Sequence, residues 1–290
     1  MSFFIDIHAV IFVRDILRNY GISMEPDCYV HGRTEREFGR LRYQAEKLAE
    51  VLQNDTRYPE GDLVLEAACG VGAQTVILSR NSPGARFVSV DISPESLASA
   101  EYYTSAEGLR NVTFQQADVL NLPFEPETFD HVFVCFLLEH LQDPLLALEQ
   151  FRGVLKPGGS ITVIEGDHGS AFFYPESPYA VRVIDCLIEI QREMGGNALI
   201  GRELFHLMQD SGFDSISVSP RTVYSDGGRP EAWEQVRNIF IEMVEGVRDD
   251  AIKRQMIDRD TWERGILDLD RIAGPSGSFC YTFFKATAVK

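Results

Sequence analysis

From residue 62 onward the chain repeats one unit: a short apolar run, a small-residue or polar turn, then a helix-like stretch. "DLVLEA" leads to "AQTVILSR", "ARFVSVD" to "SPESLASAEYYTSAEG", and "FDHVFVCF" to "DPLLALEQFRGVL", with "NVTFQQAD" and "SITVIEGD" as further runs. Strands that are apolar throughout and alternate with helices predict a parallel sheet with helices on both faces. The expected fold is therefore α/β and Rossmann-like.

The flanks are different in kind. Residues 1–60 read as a helical cap, broken at "GISMEPDCYVHG", with apolar positions at helical spacing through Phe38, Leu41, Leu48 and Val51. Residues 61–167 form the alternating core. Residues 168–290 add helices, a strand near "SISVSPRTVYS", a helical insertion over 231–272 and a last strand, "FCYTFFKATAV". All three parts are expected to share one domain, the flanks acting as lids. The stripe Trp233, Val236, Ile239, Phe240, Met243, Val244 and Val247 in the insertion reads as packing rather than a binding face.

Charge narrows the partners. With 27 basic and 44 acidic residues the net charge is −17, which repels nucleic acid and anionic membranes at long range. A small neutral or cationic substrate suits it better. The apolar N-terminal stretch is interrupted by Asp6, His8, Arg14 and Asp15, so it reads as an amphipathic helix rather than a signal, and as a surface for a second copy of the chain. Five scattered cysteines without CxxC or Cys/His spacing suggest a reduced, cytoplasmic protein with no disulfide framework and no metal site.

In an open parallel sheet, ligands sit beyond the carboxyl ends of the strands. The residues closing the runs are Glu66, Asp91, Asp118, Cys135 with Phe136, and the stretch Glu165 to His168. Gly70 and Gly72 permit close backbone approach and a tight entry into the next helix, and Asp91 stands where an acid accepts both ribose hydroxyls. Two features oppose a nicotinamide dinucleotide. Thr75 replaces the third glycine of the usual fingerprint, and Glu66 stands just before the loop, where it would repel a pyrophosphate but attract an ammonium group. Asp118 offers an acceptor for an exocyclic adenine amine. Adenine, ribose and an amino-acid ammonium without phosphate describe S-adenosylmethionine.

The stretch from 62 to about 165 resembles the class I S-adenosylmethionine-dependent methyltransferases, and especially the small-molecule group containing the ubiquinone and menaquinone C-methyltransferases. "VLEAACGVG", "VSVDIS", "ADVLNLPFEPETFDHVFV", "LLEHLQDP" and "LKPGGSITVIEGD" match that family's motifs in order and spacing. The resemblance implies a mostly parallel seven-stranded sheet, S-adenosylmethionine as cofactor and S-adenosylhomocysteine as product. It places Glu66, Gly70 and Gly72 along the methionine part, Asp91 at the ribose and Asp118 at adenine, with Ala68, Thr75, Ile92, Val119, Cys135 and Phe136 beside them. Ala68 departs from the family's usual glycine. If that position needs a positive φ, its Cβ costs about 1 kcal/mol.

A methyl transferase must align a nucleophile and, where needed, remove a proton. His168 in "EGDHG" is the first base candidate, with Glu165 and Asp167 on the same edge. Tyr29 and His31 lie in a segment that, by family analogy, folds over the cofactor. Tyr174 and Tyr281 are candidates for an aromatic substrate pocket, and Asn197 and Arg202, in the glycine-bearing "MGGNALIGRE", for a polar substrate group or for a plain turn. The leading expectation is metal-independent methylation of carbon, nitrogen or oxygen on a small, aromatic or apolar molecule of specialised or cofactor metabolism. An RNA or protein methyltransferase and a non-catalytic S-adenosylmethionine-binding protein are the alternatives.

Overall fold

The computed structural model describes residues 35–228, 239–272 and 276–290. The expected alternation is present: α1 (Glu35–Gln53), β1 (Leu63–Ala67), α2 (Ala73–Asn81), β2 (Arg86–Asp91), α3 (Pro94–Ala106), β3 (Val112–Gln116), β4 (Phe129–Cys135), α4 (Pro144–Val154) and β5 (Leu155–Gly166). Then follow β6 (Phe172–Tyr174), α5 (Pro178–Glu193), α6 (Leu204–Asp210) and β7 (Asp214–Asp226). Helical residues 239–245, α7 (Arg248–Lys253), α8 (Arg259–Arg271) and β8 (Ser278–Val289) complete the chain.

Three of these helices begin with one local device. Ser93, Asp143 and Ser177 accept the backbone N–H of Ser96 (3.2 Å), Leu146 (3.0 Å) and Ala180 (3.1 Å). Each cap is followed by proline at the first helical position. The cap satisfies an orphan donor, and proline forfeits an N–H that had no intrahelical partner.

The sheet order is β3-β2-β1-β4-β5-β8-β6, with β7 paired to the other edge of β8. Strands β1 to β5 pair in parallel, while β6, β7 and β8 pair antiparallel. The sheet has eight strands rather than the seven expected; the addition is the three-residue β6. The expected "KPGG" turn lies inside β5, where Gly158 takes φ 77° and the β4–β5 register shifts. A Cβ at Gly159 would meet the Asp130 carbonyl oxygen at 2.8 Å.

Successive residues of a strand point to opposite faces, and here both faces are buried. Leu65, Val132, Val134, Ile161 and Val163 join α4 and α6 residues in one core cluster. Val64, Phe133 and Ile164 join Leu48 and Leu52 of α1, Leu78 of α2 and residues from α5 and α8 in the other. Thus the described part of the N-terminal region, α1, packs into the core. Ile239, Phe240, Val244 and Val247 are buried in that second cluster, as a packing stripe requires; Trp233 and Val236 lie outside the described residues. Among the described residues no helix is long and apolar enough to cross a membrane.

Candidate active site

The strand order reverses between β1 and β4, and the polar strand ends converge there. Glu66 pairs in register with Ser89 and Phe133, and it is buried. Its Oε2 accepts hydrogen bonds from Thr75 Oγ1 (2.7 Å) and Ser89 Oγ (2.6 Å). Its Oε1 is buried with no hydrogen-bond partner. Burial, outweighing the two hydroxyls, pushes the carboxyl up to about 7. Thr75 therefore does more than interrupt a glycine fingerprint: it fixes the acid. Ser89 was not a sequence candidate, although a serine in the apolar run "RFVSVD" was its one signal.

The loop after β1 needs unusual backbone at three points. Ala68, Gly70 and Gly72 have φ of 55°, 53° and 76°, so Ala68 carries the strain its sequence position implied. A Cβ on Gly70 would meet nothing within 4 Å, whereas one on Gly72 would stand 3.0 Å from Ala100 of α3. Gly72 is thus required by packing, and Gly70 leaves open space beside the loop.

Asp91 ties this loop to the next strand. Its Oδ2 accepts from Gly70 N (2.8 Å) and its Oδ1 from Ser93 N (2.9 Å). Ile92, beside it, is 56% exposed, a large apolar side chain turned to the outside at a strand end. Ala117 N donates to Asp91 O, which brings the β3 end alongside; Asp118 there is exposed and accepts from Leu120 N, while Val119 is buried. Cys135 and Phe136 end β4, Phe136 with φ 56° and its N–H on the Ile164 carbonyl. Burial raises the thiols of Cys69 and Cys135, so neither is a ready nucleophile.

At the end of β5 a second set of groups forms. Glu165 is fully buried; its Oε1 accepts from Leu137 N (3.0 Å) and Leu138 N (2.7 Å), while Oε2 is unpartnered. Burial, with the neighbouring Glu139 charge, drives this carboxyl well up. Asp167 is clamped by both forks of Arg202, each at 2.7 Å. His168 is 4% exposed at the start of a short 3-10 turn. Its Nδ1 lies 2.6 Å from Tyr281 Oη, and its Nε2 faces Glu139 Oε2 at 3.9 Å. Burial holds the imidazole below its ordinary value and the Tyr281 phenol well above its own. A neutral phenol donating to Nδ1 leaves the ring proton on Nε2.

Several sequence candidates change role. Tyr174 is exposed because strand alternation turns it, with Phe172, away from buried Phe173. Tyr281 is a buried partner of His168 rather than an open pocket wall. Asn197 closes its own loop, accepting from Leu199 N and donating to Glu203 Oε1, and Arg202 is committed to Asp167. Gly196 is closely packed: a Cβ on it would come within 2.4 Å of the Glu139 carbonyl oxygen. Tyr29 and His31 lie outside the described residues. Among the described residues no group of His, Cys, Asp and Glu is arranged to hold a metal.

A family model described as a methyltransferase domain matches residues 65–163. An uncharacterized methyltransferase of Schizosaccharomyces pombe is 30% identical over 221 residues, 70% of this chain and 77% of that protein. A demethylmenaquinone methyltransferase of Thermus thermophilus is 38% identical over 102 residues, 35% of this chain and 46% of that one. The chain spans about half the length of the demethylmenaquinone methyltransferases it matches. A solved phosphoethanolamine N-methyltransferase 2 of Haemonchus contortus, in complex with S-adenosyl-L-methionine, shares the fold at TM-score 0.55 and 18% identity, covering 96% of this chain and 59% of that one.

Fold, loop and relatives agree: the chain belongs to the class I S-adenosylmethionine-dependent methyltransferases. It is an enzyme of that class, and S-adenosylmethionine is its cofactor. The residues fit that molecule. The unpartnered Oε1 of Glu66 suits an ammonium, the open space at Gly70 suits close approach of the methionine part, and Asp91 suits the ribose diol.

Proposed function

We propose that the enzyme methylates carbon, nitrogen or oxygen of a small molecule with an aromatic or largely apolar body, without a metal. The supporting observation is the layer built over the far half of the sheet. Helix α5, helical residues 239–245, α7 and α8 pack with Tyr281, Phe283 and Phe279 in one apolar cluster, and Phe136 at the end of β4 packs against it. Phe136 and Phe283 stand 5.6 Å apart, and Tyr281 and Phe283 4.7 Å. Apolar cover at the end of the cofactor strands favours a substrate withdrawn from water over a groove for a polymer. The −17 charge points the same way.

The cofactor supplies an activated sulfonium methyl; the chain must orient the acceptor and take up its proton. In this reading Glu66 and Asp91 fix the two ends of the cofactor, and Ile92, Asp118 and Val119 line the adenine side. His168 receives the acceptor's proton with Tyr281 as the intervening hydroxyl, while Glu139 faces the Nε2 proton and Arg202 holds the segment through Asp167. Tyr174, Asn197 and Glu165 are left with supporting roles.

S-adenosylmethionine labelled at its methyl group tests the proposal. It would be offered with demethylmenaquinone, with phosphoethanolamine and with small-molecule and macromolecular fractions of a cell extract, using Asp91→Ala as the blank. Label in small molecules is expected; label confined to RNA or protein would reverse the substrate assignment. His168→Ala should lower kcat about a hundredfold or more with cofactor affinity unchanged, and Tyr281→Phe should lower it in the same direction. Unaltered turnover in both would remove the proton route.

A further inference from the structure

Away from the strand ends, on the α1 side of the sheet, there is a cavity of about 340 Å³ that shares no lining residue with the cofactor loop. Its roof is the Asp55–Tyr58 link between α1 and β1, and its floor is the face of β4, β5, β8 and β7 that carries His131, Thr162, Lys285 and Ser219. Register explains the grouping. Thr162 pairs with Thr287, which pairs with Ser217, and Lys285 pairs with Ser219, so the side chains stand in rows across three strands.

This is not an ordinary solvated sheet face. Thr56, Thr162 and Lys285 are buried, while Ser217 and Thr287 are exposed, which makes a pocket with a closed floor and an open mouth. On the opposite face of the same strands Ile161, Val163, Ala286 and Ala288 form an apolar core. Helix packing would call for apolar residues on this face too, yet the chain places hydroxyls and cations around a hollow.

The charge is inverted relative to the whole molecule. Arg57, Arg221 and Lys285 line the cavity against one carboxylate, Asp55. The cations are already positioned. Lys285 Nζ donates to Asp55 Oδ1 (2.5 Å), Thr56 Oγ1 (2.6 Å) and the Leu52 carbonyl (3.3 Å); Arg221 donates to Asp55 and, through Nε, to Ser219 Oγ (3.2 Å). Lys285 thus contributes field rather than free donors; Arg221, whose Nη1 also reaches the Val51 carbonyl (3.5 Å), and Arg57, which donates to the Asn54 carbonyl, each keep further N–H groups for a ligand, beside the hydroxyls of Ser217 and Thr287. His131 completes one wall: its Nε2 lies 2.9 Å from Asp62 Oδ2 and its Nδ1 2.8 Å from Ser160 Oγ. Whichever partner donates in the His131–Ser160 contact, the Ser160 hydroxyl keeps hydrogen-bonding capacity for a bound hydroxyl.

We infer that this cavity is a second ligand site, which takes a small hydroxylated molecule carrying one oxyanion group, phosphate or carboxylate. The volume lies at the lower end of small-molecule pockets. Two net positive charges in a chain of −17 select an anion, and the ring of hydroxyls, each both donor and acceptor, suits a polyol body.

Calorimetric titration of the full chain with glycerol 3-phosphate, D-glycerate and glycerol, at fixed ionic strength, tests the inference. One or both anions should bind saturably and glycerol should not; which anion binds separates phosphate from carboxylate recognition. Thr287→Phe closes the exposed mouth without removing a hydrogen bond and should abolish binding. Arg221→Met should weaken it at least tenfold. Both variants should bind S-adenosylmethionine within twofold of the parent, which also reports that they are folded. Absence of saturable binding by either anion, equal binding of glycerol, or unchanged anion binding in Thr287→Phe would overturn the site.

Discussion

The ends of β1 and β5 carry the same unusual object, a buried glutamate with one oxygen accepting two hydrogen bonds and the other unpartnered. They differ in what holds them. Glu66 is gripped by side-chain hydroxyls from α2 and β2, within a stretch where one strand end follows another along the chain. Glu165 is gripped by backbone N–H groups after β4 and sits among Glu139, Gln191, His168 and Tyr281, which come from four separate places in the sequence. Glu66 can be relieved by a cationic ligand. Glu165, tied to backbone donors that would otherwise be orphaned, serves mainly to hold the end of β4 to the end of β5.

The contrast can be broken most visibly at Glu165. Glu165→Leu strands two buried donors, so unfolding stability should fall by about 3 kcal/mol, measured by denaturant titration. S-adenosylmethionine affinity should stay within about threefold; loss of affinity without loss of stability would erase the distinction. Asp91→Ala also frees two backbone donors, Gly70 N and Ser93 N, but its distinguishing loss should be in cofactor binding. Cofactor affinity should weaken about a hundredfold, near 3 kcal/mol for hydrogen bonds to a charged acceptor, read by calorimetry.

The third test uses pH. Glu66 stands at about 7 in the folded chain against an ordinary 4.5, and burial is the first cause. Between those values the folded state holds more protons than the unfolded one, so this group makes stability fall as pH rises from 4.5 to 7, by about 3 kcal/mol in all. Ionisation also creates the acceptor for the cofactor's ammonium, so affinity should rise toward pH 7. Glu66→Gln should flatten both profiles and weaken binding about tenfold at pH 7.5; a Gln variant that keeps either slope would place the titration elsewhere. Smallest is Ala68→Gly, which relieves φ 55° and, net of the unfolded chain's extra freedom, should add up to about 1 kcal/mol of stability in denaturant titration.

The convergence of Glu66, Asp91 and Asp118 was legible because each stands at or just after the end of a strand. Glu66, Asp91 and Asp118 follow apolar runs, and the alternation of strand and helix places their ends together whatever the packing details. Ser89 escaped notice because a mid-strand serine has no positional signal until register pairs it with Glu66. The β5 end was legible only in part. His168 could be proposed, but its fixation by a tyrosine from β8 could not, nor could the exposure of Tyr174, because β6 is too short for its alternation to stand out.

The sequence by itself determined the α/β alternation, the capped and proline-opened helices, and the acids that close the strands, because each rests on local chemistry repeated at regular spacing. Only the tertiary structure decided which carboxylate is left open, which imidazole nitrogen is occupied, and that serines, threonines and cations from three strands and the α1–β1 link enclose a hollow. Those outcomes depend on strand register and on contacts between residues distant in the chain, and neither is written in the pattern of any one segment.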